Sequence, residues 1–394
     1  MKTEIRVPSI LHIGGGAFTE TGALLVRLQC QRPLIVTDPF LRKTQLAETL
    51  QNQILQSGLT CAIFDQTVAD PTSAVVEAGV HVFREGGHDS LVSLGGGSPI
   101  DTAKAIGILA ANGGKLRDYK VPNAIPLSGP PHVAIPTTAG TGSEVSRFTV
   151  ITDTETGEKM LITGGVLVPT AAVVDYELTL TMPARLAADT GTDSLTHAIE
   201  SYVSRKANPF SDALALAAMK TIWHELPSSV RDPGNLRARE AMMLAATQAG
   251  IAFSNASVAL VHGMSRPLGV HFHIAHGLSN AMLLPAVTAF SVEAAIDRYA
   301  ECARTMGIAQ PGESAQAAAD QLVRALYRRN AELEVPTPKQ YGIEEEQYLA
   351  LIPTMAAQAL ASGSPQNNPR IPTADEIESL YRQVWQQDRF DPSA

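Results

Sequence analysis

Continuous apolar runs alternate with amphipathic stretches through the first half of the chain. Residues 33–37 (PLIVT), 61–64 (CAIF), 90–94 (SLVSL), 132–135 (HVAI) and 172–174 (AVV) are short apolar segments closed by turn residues. That is the pattern of strands buried on both faces. Between them, 41–55 and 73–85 repeat apolar residues with helical period. Strand–helix alternation of this kind implies a mostly parallel, Rossmann-like α/β sheet covered by helices. Beyond residue 180 the strand-like runs stop. Ala/Leu-rich segments at 211–224, 235–253, 292–306, 313–328 and 373–385 read as helices, and 362–369 as a loop. The expectation is an α/β domain over 1–180 and an all-α domain over 181–394, without internal repeats.

Composition narrows the picture. A chain of 394 residues is too long for one core and suits two domains. Its net charge of −9, with no Lys/Arg run, argues against a nucleic-acid partner. Cys30, Cys61 and Cys302 are odd in number and far apart, which fits neither a disulfide framework nor a cysteine zinc site. No apolar run approaches membrane-spanning length and the N-terminus lacks a secretory pattern, so a cytoplasmic protein is expected.

Two loops carry nucleotide chemistry. LVSLGGGSPIDTAKAIG reads as strand, glycine turn and helix, with Ser98 able to cap the helix and Pro99 in its first turn. Such a turn lets backbone N–H groups approach a pyrophosphate, although it is not GxGxxG and would also serve as a plain tight turn. IPTTAGTGSEVS places Thr137, Thr138 and Thr141 after an apolar strand, at the edge where α/β sheets bind ligands, or simply on the surface. Asp38 ends the first apolar run. A carboxylate there binds ribose hydroxyls and repels a 2′-phosphate, favouring NAD over NADP, or it only shapes the turn before Pro39.

The helical half offers GTDSLTHAIES and VHGMSRPLGVHFHIAH. Asp193 and His197 are four residues apart on one helical face; His262 and His276 are fourteen apart. One carboxylate and three imidazoles suit iron or zinc. Spacing alone leaves open that they are satisfied polar residues in a helical core.

GGGSPIDTAKA, PTTAGTGSEVSRFTVITD, TDSLTHAIESYVS, AFSNASVALVHGM, PLG, HG and NPR follow one another in the order typical of one family. The chain closely resembles the iron-dependent (group III) alcohol dehydrogenases, within the dehydroquinate-synthase-like superfamily, over nearly its whole length. The resemblance implies a nucleotide domain, a helical metal domain and a site in the cleft between them. It implies Asp193, His197, His262 and His276 as ligands of Fe(II), with zinc as an alternative. It places Gly96, Gly97 and Ser98 in the pyrophosphate loop and Thr137, Thr138 and Thr141 in the cofactor loop. Asp38, Asp70, Asp101, Phe148 and Lys159 join the NAD-binding set, and Phe253 lines the substrate pocket. The implied reaction is hydride transfer between NAD(H) and a small primary alcohol or aldehyde, with the metal as Lewis acid, in a homodimer or larger homo-oligomer.

One position departs from the family pattern. Where the family usually carries VHAMAHPLG, this chain reads VHGMSRPLG, so Arg266 replaces a histidine. Arginine cannot shuttle protons at neutral pH. Either it binds an anionic group of the substrate, as in a 4-hydroxybutyrate-type dehydrogenase, or it pairs with a helix carboxylate. His273, near a ligand, is either a substitute proton carrier or a residue without a catalytic role. A dehydroquinate-synthase-like lyase would need several cations around its substrate, and this region offers mainly Arg266. The segment 4–7 could pair as an edge strand between subunits.

Overall fold

In the computed structural model, residues 3–388 and residue 390 are described. The chain forms two compact units, Glu4–Thr181 and the chain from Met182 onward.

The first unit holds strands β1 (Ile10–Ile13), β2 (Pro33–Val36), β3 (Ala62–Phe64), β4 (Ser90–Gly95), β5 (His132–Pro136), β6 (Phe148–Thr152), β7 (Lys159–Thr163) and β8 (Ala171–Val174). Its helices are α1 (Thr21–Arg27), α2 (Pro39–Lys43), α3 (Leu46–Gln56), α4 (Ser73–Glu85) and α5 (Gly97–Asn112). Six strands form a parallel sheet in the order β1-β8-β5-β4-β2-β3, and β6 with β7 make a separate antiparallel ribbon. The strands were legible because both faces are covered. Leu34, Val36 and Leu91 enter one core with Val76, Val80 and Ile106 of α4 and α5. Ile35, Val92 and Leu94 enter the other with Leu24, Leu50 and Ile54 of α1 and α3.

From β2 the chain moves outward to β3, then returns to the other side of β2 for β4 and onward to β5. The strand order therefore reverses between β2 and β4. Asp38 and the Gly95–Gly96–Gly97 turn stand at the carboxyl ends of these two strands, the position where open α/β sheets leave a ligand crevice.

The structure corrects several sequence expectations. The helix expected over 41–55 is two, because Gln45 takes a left-handed conformation (φ 62°) between α2 and α3. Ser98 does not cap α5. Gly96 holds the N-cap position, while the Ser98 hydroxyl donates to the Ala69 carbonyl at 2.5 Å. Strand β1 and the β6–β7 ribbon were not anticipated, and 4–7 is not a strand in this chain.

The second unit contains α6 (Ala184–Val203), α7 (Pro209–Arg231), α8 (Leu236–Asn255), α9 (Leu260–Phe272), α10 (His276–Ser291), α11 (Ile296–Thr305), α12 (Ala315–Glu332), α13 (Glu345–Ala361) and α14 (Ala374–Gln386). It has no strand among its described residues. Asn208 and Thr373 open α7 and α14 with reciprocal capping boxes. Among the described residues no single helix is long and apolar enough to cross a membrane. The three cysteines are free thiols.

Candidate metal centre and nucleotide edge

Helix α6 is buried along most of its length, yet Asp193, His197 and Glu200 lie inside it. Buried charge survives only when paired. The pairing here comes from α9 and α10. His262 sits in the first turn of α9 and His276 is the first residue of α10. Asp193 Oδ1 lies 3.7 Å from His197 Nε2, 3.5 Å from His262 Nε2 and 3.9 Å from His276 Nε2. Donors bonded tetrahedrally at about 2.1 Å to one ion stand roughly 3.4 Å apart; the donor atoms of Asp193, His262 and His276 all lie within 4.8 Å of one another, a group able to hold a metal ion, with His197 beside Asp193. Helix α10 reaches α6 because Gly277 follows His276: a Cβ there would lie 2.4 Å from the Asp189 carbonyl oxygen.

The Asn280 amide supplies a second test of fit. The side-chain nitrogen of Asn280, one helical turn after His276, lies 2.7 Å from Asp193 Oδ1, 3.2 Å from His262 Nε2 and 3.3 Å from His276 Nε2. A lone electropositive N–H₂ group thus faces three acceptors. Its partner oxygen, Asn280 Oδ1, is buried without a hydrogen bond.

Glu200, which sequence reading did not single out, completes the site. Its carboxylate accepts from the Ala259 and Val261 backbone N–H groups at 2.9 and 2.6 Å and from His262 Nδ1 at 2.6 Å. That bond keeps one proton on Nδ1 and turns Nε2 toward the metal position, where a bound metal would displace the second proton. Burial disfavours the imidazolium of His262, but Glu200 and Asp193 outweigh it and push its pKa up to about 9. Burial likewise opposes ionisation of Asp193, and His197, His276 and His262 override it, holding the carboxyl well below the usual range. The signal for Glu200 was present: 193, 197 and 200 are spaced i, i+4, i+7, one polar stripe on an otherwise buried helix. Asn280, four residues after His276, carries the same kind of signal.

Phe253 of α8 stacks on His197, ring centroids 4.3 Å apart. Arg266 lies one helical turn beyond His262 on α9. His273 does not join the cluster. It ends α9 in a left-handed conformation (φ 54°), its side chain exposed and its carbonyl accepting from the Tyr341 hydroxyl at 3.4 Å.

In the α/β unit, Asp38, Gly96, Gly97, Ser98, Thr137, Thr138 and Thr141 stand just beyond the carboxyl ends of β2, β4 and β5, whereas Asp70 follows β3 and Phe148 and Lys159 begin β6 and β7. Thr138 and Thr141 stand beside Gly96 and Gly97, so near that a Cβ on Gly97 would lie 3.2 Å from the Thr141 methyl. Gly95 adopts φ +149°, and a Cβ there would meet the Pro99 ring at 2.5 Å. Thr138 Oγ1 is buried without a hydrogen-bond partner, a polar atom awaiting a ligand. Asp38 caps α2, accepting from the Leu41 N–H at 2.9 Å. Lys159 Nζ pairs with Asp70 at 2.8 Å.

Asp101 has a different occupation. Its carboxylate is buried and accepts from Ser143 Oγ at 3.1 Å and Val150 N at 2.9 Å. Lys104, one turn on, donates to the Ser146 carbonyl and hydroxyl and the Phe148 carbonyl, at 2.9, 3.1 and 2.9 Å. Burial lowers the Lys104 pKa to about 8 against the pull of Asp101 and Glu144. The pair clasps the threonine loop and β6 to α5. Asp101 therefore holds the loop in place.

Known proteins agree with this arrangement. Residues 8–176 match the iron-containing alcohol dehydrogenase family, and residues 187–385 match the C-terminal region of the Fe-containing alcohol dehydrogenase family. The chain is 41% identical over 381 residues to the NAD-dependent methanol dehydrogenase of Bacillus methanolicus, covering 96% of this chain and 99% of that one. The crystal structure of 1,3-propanediol oxidoreductase superposes with a TM-score of 0.94 at 36% identity, over 98% of this chain and 100% of that one. The sulfoacetaldehyde reductase of Bifidobacterium kashiwanohense, solved in complex with NAD+, superposes with a TM-score of 0.87 at 28% identity, over 98% of this chain and 100% of that one. An Asp–His cluster able to hold a metal on the helical unit, and an open parallel sheet with a glycine turn at its strand reversal, accompany these matches: the chain belongs to the iron-containing alcohol dehydrogenase family.

Proposed function

We propose that the protein interconverts a small primary alcohol and its aldehyde, using iron(II) held by Asp193, His197, His262 and His276 and NAD(H) held at the carboxyl edge of the sheet. The convergence of donor atoms from Asp193, His262 and His276, all within 4.8 Å of one another and with His197 3.7 Å from Asp193, is the observation that carries this reading. When bound, iron supplies Lewis acidity toward the substrate oxygen, and NAD(H) supplies or accepts the hydride.

The chain's residues prepare for that chemistry. Glu200 fixes the His262 tautomer and ring direction. Phe253 holds the plane of His197. Gly96, Gly97 and Ser98 offer backbone N–H groups to a pyrophosphate, Thr138 offers its unpartnered hydroxyl, and Asp38 disfavours a 2′-phosphate. The NAD complex of the structurally similar reductase and the NAD-dependence of the Bacillus relative support NAD as the nucleotide. We place the enzyme in the cytoplasm as a homodimer or larger homo-oligomer.

The test is anaerobic purification, metal analysis and NADH oxidation with short aldehydes. One iron per chain and saturable turnover are expected. Turnover persisting in metal-free protein would overturn the reading, and a zinc form of equal activity would remove the preference for iron.

A further inference from the structure

The four ligands are unequally covered. The side chains of Asp193, His197 and His262 are 3 to 6% exposed, whereas that of His276 is 48% exposed. The cluster therefore opens on the His276 side. Arg266 follows His262 by one turn on the same face of α9. Along that face burial decreases outward, from His262 through the partly buried Arg266 and Val270 to the exposed His273.

Arg266 has no hydrogen-bond acceptor and no ion-pair partner among the described residues. Its nearest anion, Glu200, has both carboxylate oxygens committed to the start of α9 and to His262. Arg185 of α6 and Arg298 of α11 each pair with a carboxylate. A partly buried guanidinium presents five N–H donors in a fork suited to a carboxylate or sulfonate. Its nitrogens keep contact with solvent, so the fork can take an anionic ligand in place of water.

The geometry points to Arg266 as the specificity-determining residue of this enzyme, pairing with the acidic end of a short aldehyde that carries a terminal carboxylate or sulfonate. This rests on the assignment of carbonyl chemistry to the metal cluster. A helical rise of about 1.5 Å per residue sets Arg266 roughly 6 Å along α9 from His262, a span suited to an acid group two or three carbons from the carbonyl. The reaction is then reduction of the ω-acidic aldehyde to the ω-hydroxy acid. NADH is oxidised to NAD+, its hydride passes to the carbonyl carbon, and one proton from solvent completes the hydroxyl.

The experiment compares a pair of equal carbon-chain length, 4-oxobutanoate and butanal, in the iron-loaded wild type, Arg266→Gln and Arg266→Lys. Wild type should favour 4-oxobutanoate in kcat/KM. Arg266→Gln should lose about 100-fold on 4-oxobutanoate, mainly through KM, and change less than about threefold on butanal. Arg266→Lys should recover part of the loss. Equal losses on both aldehydes, or a loss confined to the KM for NADH, would overturn the assignment. Calorimetric titration of the metal-loaded, NAD+-bound protein with unreactive butanedioate gives a readout apart from turnover. Binding by wild type but not by Arg266→Gln supports the anion site even if neither aldehyde is reduced, in which case the dehydrogenase reading fails alone. Turnover of butanal without Arg266-dependent butanedioate binding leaves the dehydrogenase and removes the anion site.

Discussion

The metal centre and the nucleotide edge solve the problem of ligand recognition in opposite ways. In the helical unit, recognition is concentrated in charged side chains buried deep in α6, α9 and α10, each held by another: Asp193 by three imidazoles, His262 by Glu200, Asn280 by three acceptors. In the α/β unit it is spread over backbone groups, glycines and threonine hydroxyls at the ends of three strands, with the charged pair Asp101 and Lys104 kept behind the loop as a clasp. A site of coupled buried charges should fail abruptly when one member is removed. A site of many weak, separate contacts should fail by small steps.

The largest break is expected at a ligand itself. His262→Ala or His276→Ala should lower metal affinity by more than about 100-fold, beyond the loss typical of a residue that only supports a ligand, and abolish turnover while the circular dichroism spectrum is kept. A variant retaining metal and full turnover would refute the ligand set. Next is Glu200→Gln, which removes a charge but no ligand. Metal affinity should fall roughly 10- to 100-fold, measured by competition with a chromophoric chelator. An unchanged affinity would show that His262 does not need its carboxylate.

A third test uses pH at the other end of the sheet. His132, at the start of β5, is buried with Nε2 2.8 Å from Ser93 Oγ. Burial, and then the nearby Lys104 charge, lowers its pKa to about 3. Its folded form refuses the proton that the unfolded chain accepts below about pH 6.5. Stability should therefore be full above that pH and fall by up to about 1.4 kcal/mol per unit between 6.5 and 3. Denaturant melts of metal-free wild type and His132→Gln should diverge over this window; parallel curves would exclude His132 as the cause. The smallest effect belongs to Thr138→Val, which should weaken NADH binding about 3- to 10-fold, as for one hydrogen bond, with metal content unchanged. Fluorescence titration would detect it, and Asp38→Gly should separately shift the NADH-to-NADPH affinity ratio toward NADPH.

How much of this was legible followed the same divide. Continuous runs such as PLIV and SLVSLG, buried at every position, announce central parallel strands. Strand β1 carries a histidine and is only half covered at the sheet edge, so its pattern is weak. The β6–β7 ribbon alternates cleanly, FTVIT and KMLIT, but lies next to a loop whose threonines and glycines drew the reading toward ligand chemistry. Helix α9 was obscured by Gly263, Pro267 and Gly269, residues tolerated because the helix packs closely; a Cβ on Gly263 would lie 2.8 Å from the Pro365 ring. The four proposed ligands were nameable from motifs. Their convergence was not, since it depends on how α9 and α10 fold back on α6. The work of Asp101 and Glu200 was hidden because a carboxylate's partners lie up to 62 residues away in sequence.

Glu200 binds two things at once: the imidazole of a proposed metal ligand and the first free N–H groups of α9. Occupancy of the metal position and closure of that helix start are consequently linked. A ligand bound only to the closed form raises the free energy of opening by RT ln(1 + L/Kd), where L is its free concentration. The amide protons of Ala259 and Val261 would then exchange with deuterium more slowly as metal is added, reporting metal loading from the backbone without any substrate present.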